Sequence, residues 1–429
     1  MNGLWKSLAV VGAIGGFAVP AIPAVAIAQD KSVEVFHFNT SGSEAKAWYQ
    51  YKDKFEEAGG TWIDSPVAGG GGDAHDTTLR ARVLAGDGPG AAMPKCPEAA
   101  RWFEEGYIVN LDEVAAAEGW DDKLPALIKS FAKVGDHYVC VPYDVHRLDW
   151  LWGSAEVLKE AGFDKMPATW EEFDAIAAAV QAKGKIVLAH GGEEWQDGTI
   201  FQDVAVGFGG TEFIEQLAEG NEDAIRGDAM RKTLERYRIL STLLDRGSPG
   251  RPWNLAAAMV SNGEAAFQIM GDWAKGEFIL AGKTPGVDIL CAPVPGDVAD
   301  RPGMIMVSNA LAFFTKTKGE TTASEGQKLL AATLLKPDAE FAYTQYKGSI
   351  PSIMGVDPAA YDACAQISMA DLAKNNAGGT LTGDLWTMHS APPAIAAAIR
   401  ETTSRFFNSP SMSVDEGIDL IAEAVDLAK

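Results

Sequence analysis

From Val33 onward the chain alternates short apolar runs with longer amphipathic stretches, and this alternation restricts the fold more than any other feature. Val33–His37 reads as a strand, and Ser43–Ala58 reads as a helix with Ala45, Trp48 and Phe55 on or near one face. Trp62–Val67 is a second strand run, Thr77–Ala85 a second helix, and Ala91–Met93 a third apolar run before a helix through Phe103. Strand–helix–strand order predicts an α/β fold with a mostly parallel sheet flanked by helices on both faces. Ligands on such sheets bind at the carboxyl ends of the strands, in loops that lead into helices.

The pattern continues with strands at Tyr138–Pro142, Leu148–Trp152 and Ile186–Ala189, and with a helix over Thr169–Lys183. That helix opens on a capping box, Thr169-Trp170-Glu171-Glu172, in which hydroxyl and carboxylate satisfy free helix-end donors reciprocally. A mainly helical stretch runs to about Ser261, and strands recur at Ala265–Met270, Ile289–Ala292 and Ala310–Thr315. Two more capping boxes, Thr322…Glu325 and Ser413…Glu416, open later helices, and roughly the last eighty residues read as helical throughout. There is no internal repeat or long flexible linker, and about 400 residues exceed what one core normally serves, so two domains joined by short crossings are expected.

The first 28 residues are set apart from this pattern. Lys6, an Ala/Val/Ile/Gly-rich stretch from Leu8 to Ala26, and Ala26-Ile27-Ala28 form a secretory signal peptide cut before Gln29, while Pro20 and Pro23 oppose a stable spanning helix. No cysteine stands at the cut to carry a lipid, so a periplasmic protein is expected. The 36 basic and 59 acidic residues give a net charge of −23, a surface that repels nucleic acid and anionic lipid. Cys96, Cys140, Cys291 and Cys364 allow three disulfide connectivities in an oxidising compartment, and spacing alone does not choose among them. No C-x-x-C and no metal-ligand spacing among the six histidines is present, so neither metal nor cofactor is expected.

Six segments in order carry a likeness to a known family. They are Thr40-Ser41-Gly42-Ser43-Glu44; Pro66-Val67-Ala68 with Gly69–Gly72 and Asp73; Val145-His146-Arg147; Leu188-Ala189-His190-Gly191-Gly192; Gly271-Asp272-Trp273-Ala274-Lys275-Gly276-Glu277; and Lys347-Gly348-Ser349-Ile350-Pro351. With them the chain resembles the periplasmic carbohydrate-binding proteins of ATP-driven (ABC) importers, solute-binding proteins of the maltose-binding type, and most closely the glucose/mannose branch. The resemblance implies a two-lobed fold built from discontinuous segments: 29–143 and 306–346 for the first lobe, 144–305 and 347–429 for the second. It also implies a Cys291–Cys364 disulfide, hinge closure on ligand, a monomer, and delivery to membrane permease subunits. Cys96 and Cys140 have no counterpart in that branch; a bridge and two free thiols are both compatible with the sequence.

A pyranose offers hydroxyls that donate and accept, together with a face of C–H bonds, so its site needs charged or amide groups and an aromatic ring. The resemblance assigns ligand binding to Glu44 after the first strand and Lys95 after the third, which read otherwise as a solvated helix-start charge and a surface lysine. Asn309 holds a ligand position of the family, Lys347 at a lobe crossing reads as a hydroxyl partner or a helix-terminal lysine, and Trp273, just after a strand, is the choice for the stacking ring. His75 and Arg147 are further candidates; each also has a plain structural reading, at a helix start and at a lobe crossing. Trp150, Trp152, Trp195, Trp253 and Trp386 are alternative rings. Gly69–Gly72 lacks the Gly-Lys-Ser/Thr ending of a nucleotide loop and reads as backbone close to ligand, with Asp73 or Asp76 capping the next helix.

Three departures from the branch fall on the ligand-facing set. Phe38-Asn39 stands where two tryptophans are usual, Asn309 where Asp is usual, and His389 lies two residues past the expected histidine position at Thr387. The framework is thus that of a sugar receptor while the sugar is left open. A binding protein without chemistry is the reading the motifs favour. A secreted glycoside hydrolase using Asp144 and Asp149 beside Trp150, and a receptor that reports sugar to a chemotaxis or sensor partner, are the competing ones.

Overall fold

The computed structural model describes residues 30–40, 42–67, 73–94, 96–297, 303–386 and 393–429, without the side chains of 73, 74, 96 and 97. The leader, Ser41, the Gly69–Gly72 run, Lys95 and His389 therefore lie outside the described residues. Among the described residues no helix is long and apolar enough to cross a membrane.

The first strand, Ser32–His37, buries Val33, Val35 and Phe36, and the helix Gly42–Glu57 covers it with Ala47, Trp48, Tyr51 and Phe55. Those four positions fall on one stripe of a 3.6-residue helix, which is why the segment is helical and why this face is buried. The strand pairs in parallel with Thr61–Pro66 on one side and Ala91–Ala92 on the other. Ala310–Phe313 returns antiparallel beside Ala91–Ala92, and Val141–Pro142 closes this five-stranded sheet.

A second sheet runs in the order Ile289–Pro293, Trp150–Ser154, Ala265–Ile269, Ile186–Leu188. Only its last pairing is parallel. Both sheets are mixed, and the parallel share is smaller than strand–helix alternation suggests. The reason is local: Trp150–Ser154 lies between two strands that both run against it. Leu381–Gly383, Met304–Val307 and His146–Arg147 make a third, three-stranded sheet.

Each sheet has its own core, and the cores define the two lobes. One gathers residues from Val33 to Val145 and from Met306 to Tyr343. The other side is filled by two clusters running from Leu148 to Val294 and on to the C-terminal helices Pro393–Phe407 and Val414–Ala428. Ile305 and Val307 pack with the second cluster and Met306 with the first, because consecutive side chains of the strand Met304–Val307 face opposite ways. Ile350, Ile353, Tyr361 and Ala365, beyond residue 347, also pack into the first core.

Local signals are mostly realised. The Thr169–Glu172 and Ser413–Glu416 capping boxes both form, each worth about 1 kcal/mol. The box expected at Thr322…Glu325 forms two residues later, as Ser324 with Gln327. Gln327 is chosen because its amide also donates to the Gly90 and Phe314 carbonyls, which a glutamate there would repel. The C-terminal stretch is not wholly helical either: Leu381–Gly383 is a strand, drawn into pairing by Met304–Val307.

Candidate functional site

The expected ligand residues that the structure describes stand at or near the ends of strands and helices of both cores. Phe38 and Asn39 follow directly on the first strand and are buried. The Phe38 ring meets His75 edge-on at 5.3 Å, and His75, near the start of the helix Asp73–Leu84, is fully buried with Nδ1 2.9 Å from Asp76 Oδ1. The Asp76 carboxylate that might have capped the helix thus holds the imidazole instead. Asn39 Nδ2 donates to Met93 Sδ at 3.4 Å, and the Tyr143 hydroxyl reaches the same sulfur at 3.7 Å. Among the described residues Asn39 Oδ1 and His75 Nε2 are buried and have no hydrogen-bond partner. Orphaned buried polar atoms are costly.

Glu44, in the first turn of its helix, and Lys347, at the end of the helix Pro337–Lys347, are brought together: Lys347 Nζ donates to Glu44 Oε1 at 2.5 Å. Gly348 follows with φ 96°, a left-handed turn that ends the helix. A Cβ there would come within 2.2 Å of the Asp272 carbonyl oxygen, so glycine is required by contact as well as by conformation.

Trp273 directly precedes the helix Ala274–Leu280. Its ring is partly exposed, lies edge-on to His146 at 5.5 Å, and has Trp195 at 6.3 Å. Of the alternative rings, Trp150 and Trp152 are fully buried and belong to the core, while Trp195, Trp253 and Trp386 are partly exposed.

The lobe crossings are densely bonded. Asp144 accepts from the Asn309 backbone N–H at 2.8 Å, the Asn309 Nδ2 at 3.1 Å and the Tyr343 hydroxyl at 3.0 Å. His146 lies between Asp144, 3.1 Å from its Nε2, and Asp272, in short contact with its Nδ1. Burial alone would lower the His146 pKa, but the two carboxylates more than reverse it and raise it to about 9. Burial alone would raise the Asp144 pKa; His146 and Asn309 instead hold it below the ordinary value.

Arg147 is buried, with its guanidinium on Asp149 at 3.2 Å and on Asp371 at 2.5 Å and its plane over Trp150. Its side-chain donors Nε, Nη1 and Nη2 point at carboxylates. His190 is likewise tied inward, to Asp197 at 2.8 Å. Sequence reasoning missed Ser43 and Glu277. Ser43 donates through its hydroxyl at 2.5 Å and its backbone N–H at 3.3 Å to Glu277 Oε1, joining the first lobe's leading helix to the helix that follows Trp273. The Ser43 N–H belongs to the open first turn of a helix, a signal that some acceptor must come from elsewhere. Cys291 and Cys364 form the disulfide. Cys140 is buried.

A model of the family described as bacterial extracellular solute-binding protein matches residues 39–333. The chain is 37% identical over 423 residues to a probable sugar-binding periplasmic protein of Brucella melitensis, covering 98% of this chain and 99% of that one. It is 38% identical over 408 residues to a protein of the same description in Rhizobium meliloti, covering 95% and 97%. Among solved structures, a chitin oligosaccharide binding protein superposes with a TM-score of 0.74 at 16% identity over 92% of this chain and 98% of that one. RafE in complex with raffinose gives 0.73 at 16% identity over 93% and 99%. Two lobes on two mixed sheets, a bonded set of crossings between them and a family match over most of the length agree: this chain belongs to the bacterial extracellular solute-binding proteins.

Proposed function

We propose that this protein is a periplasmic receptor that captures a small carbohydrate between its lobes and delivers it to the permease subunits of an ABC importer. What supports the reading is that the described residues supply both chemistries a sugar needs. Trp273 offers an aromatic face for C–H bonds, while Asn39, His75, Glu44, Lys347 and Asn309 offer donors and acceptors for hydroxyls. Phe38 lines the polar side, and Lys95 and His389 complete the set by their place in the sequence. Arg147 supports the crossing from behind. The names of the relatives in Brucella and Rhizobium point the same way. Those names and the signal-like leader support export to the periplasm.

The receptor works by hinge. Sugar binds one wall of the open form, the second wall adds contacts, and the population shifts to closed. The Ser43–Glu277 contact is one such closing contact. Affinity near micromolar, roughly −8 kcal/mol, suits this task. The sugar is a mono- or small modified sugar of glucose or mannose type, bound without chemistry. A hydrolase would need two carboxylates free to reach a glycosidic bond, and Asp144 and Asp149 are fully buried, Asp144 bonded to Asn309 and Tyr343 and Asp149 to Arg147 and the Ile305 N–H.

A thermal-shift screen over neutral, acidic and amino sugars tests the reading. A binder at a hundred times its Kd stabilises by about 2.7 kcal/mol. Scattering with that sugar should report a more compact particle. A guest recovered chemically altered, or a panel without any binder, overturns the proposal.

A further inference from the structure

His146 lies in the middle of the lobe crossings: its Nδ1 is in short hydrogen-bond contact with Asp272, and its Nε2 stands 3.1 Å from Asp144 at ion-pair distance, without hydrogen-bond geometry. Its strand, His146–Arg147, pairs antiparallel with Val307 and Met306, and the neighbouring Val145 pairs with Ile350, so three passes of the chain between the lobes meet here. On one side Asp144 holds both the Asn309 backbone and its side-chain amide, and also the Tyr343 hydroxyl. On the other side Asp272 accepts from the Arg147 N–H at 2.9 Å and directly precedes Trp273, whose ring rests on the imidazole. The side chains of His146, Asp144 and Asp272 are 2%, 0% and 3% exposed, so water does not screen them.

We infer that His146 is a positioning residue: a buried imidazolium at the lobe crossing that braces both Asp144, which holds the Asn309 amide, and Asp272, which directly precedes the Trp273 ring. The inference rests on the sugar-receptor reading for the roles of Asn309 and Trp273. Two buried carboxylates this close repel unless a cation lies between them, and with that cation each becomes an anchor. The raised pKa of His146 agrees with a permanently charged ring at neutral pH. Other charged or titratable groups facing this cluster are Arg147 from the same strand, Tyr343 and Glu340 from the helix Pro337–Lys347, Tyr51 from the helix Gly42–Glu57, and Tyr143; Glu340, Tyr51 and Tyr143 act on Asp144, and none of the five is bonded to the ring itself.

The test compares His146→Gln with the double variant H146Q/D272N, which removes the cation together with one of its counter-charges. Trp273 emission is isolated by subtracting a Trp273→Phe control in each background, and its quenching by acrylamide is read in the protein without sugar. The quenching constant should change at least twofold in H146Q and return toward the original in the double variant. For D-glucose, or for the first saccharide found to bind, affinity should fall at least tenfold in H146Q and recover at least threefold in the double variant. Unchanged Trp273 quenching in H146Q, or a double variant worse than the single one, overturns the inference. Should H146Q not fold, ring-¹⁵N spectra of the unaltered protein decide: both His146 nitrogens protonated at pH 8 is the expected result, and a neutral tautomer overturns it. A panel in which no sugar binds, with Trp273 responding as expected, removes the sugar reading and leaves the brace in place.

Discussion

Lys347 and Glu44 stand 303 residues apart in sequence and meet at 2.5 Å, each held almost out of water. The pair joins the N-terminal turn of the first helix to the C-terminal turn of the helix that ends at the lobe crossing. Glu44 sits at a positive helix end and Lys347 at a negative one, so each charge is favoured where it lies before the two interact.

Replacing Lys347 with methionine strands Glu44 in a nearly closed site. Breaking a buried pair from one side costs about 3 kcal/mol, and a loss somewhat below that is expected because Glu44 keeps 12% exposure. Urea unfolding of K347M and K347M/E44Q measures it; the double variant should regain part of the loss.

Trp273→Ala should weaken sugar affinity by about 1–2 kcal/mol, the worth of an aromatic face beyond its area. The unfolding midpoint should move far less, since the ring is only partly buried. Calorimetric titration beside a thermal melt separates the two effects. A Trp152→Ala variant should show the reverse, because that ring lies wholly in the core.

Much of this arrangement was legible in the sequence, and what was not has a common cause. The strands and helices around Val33–His37 and Thr169–Lys183 follow from local period and capping, which need no distant partner. The strands Met304–Val307 and Leu381–Gly383 pair with each other across more than seventy residues, and neither has a strand pattern strong enough to stand alone. Likewise Glu44 and Lys347 were found singly, through family likeness, while their mutual contact is a product of the tertiary fold. Asp144 looked like a free acid beside a tryptophan. It is instead fixed by Asn309 and Tyr343, residues that lie far along the chain.

Glu340 gives a pH signature. It is fully buried with its carboxyl on the Ser352 N–H and hydroxyl, and burial drives its pKa up to about 8 against only partial relief from those donors. A folded-state pKa above the unfolded value means that folding takes up a proton, so the stability tied to this group is complete below pH 4.5 and fades as pH rises toward 8. Glu340→Gln should therefore gain at least ~1 kcal/mol relative to the original protein on going from pH 4.5 to pH 8. Urea midpoints at those two pH values check the sign.

The Cys291–Cys364 bridge closes a loop of 73 residues. Chain-entropy reasoning puts its worth near 4 kcal/mol at most, with about 2–4 kcal/mol typical. A C291S/C364S variant should lose that much in denaturant while retaining sugar affinity within about threefold, because neither cysteine is among the proposed ligand groups. A large affinity loss would place the bridge in the hinge.

One helix, Ala363–Gly378, keeps Cys364 in a cluster of the second lobe and the very next residue, Ala365, in the core of the first. Neither lobe therefore owns a complete boundary, and melting one strips a wall from the other. Heating should give a single endotherm rather than a staircase of two, and a truncated lobe expressed alone should have nothing firm against which to finish folding.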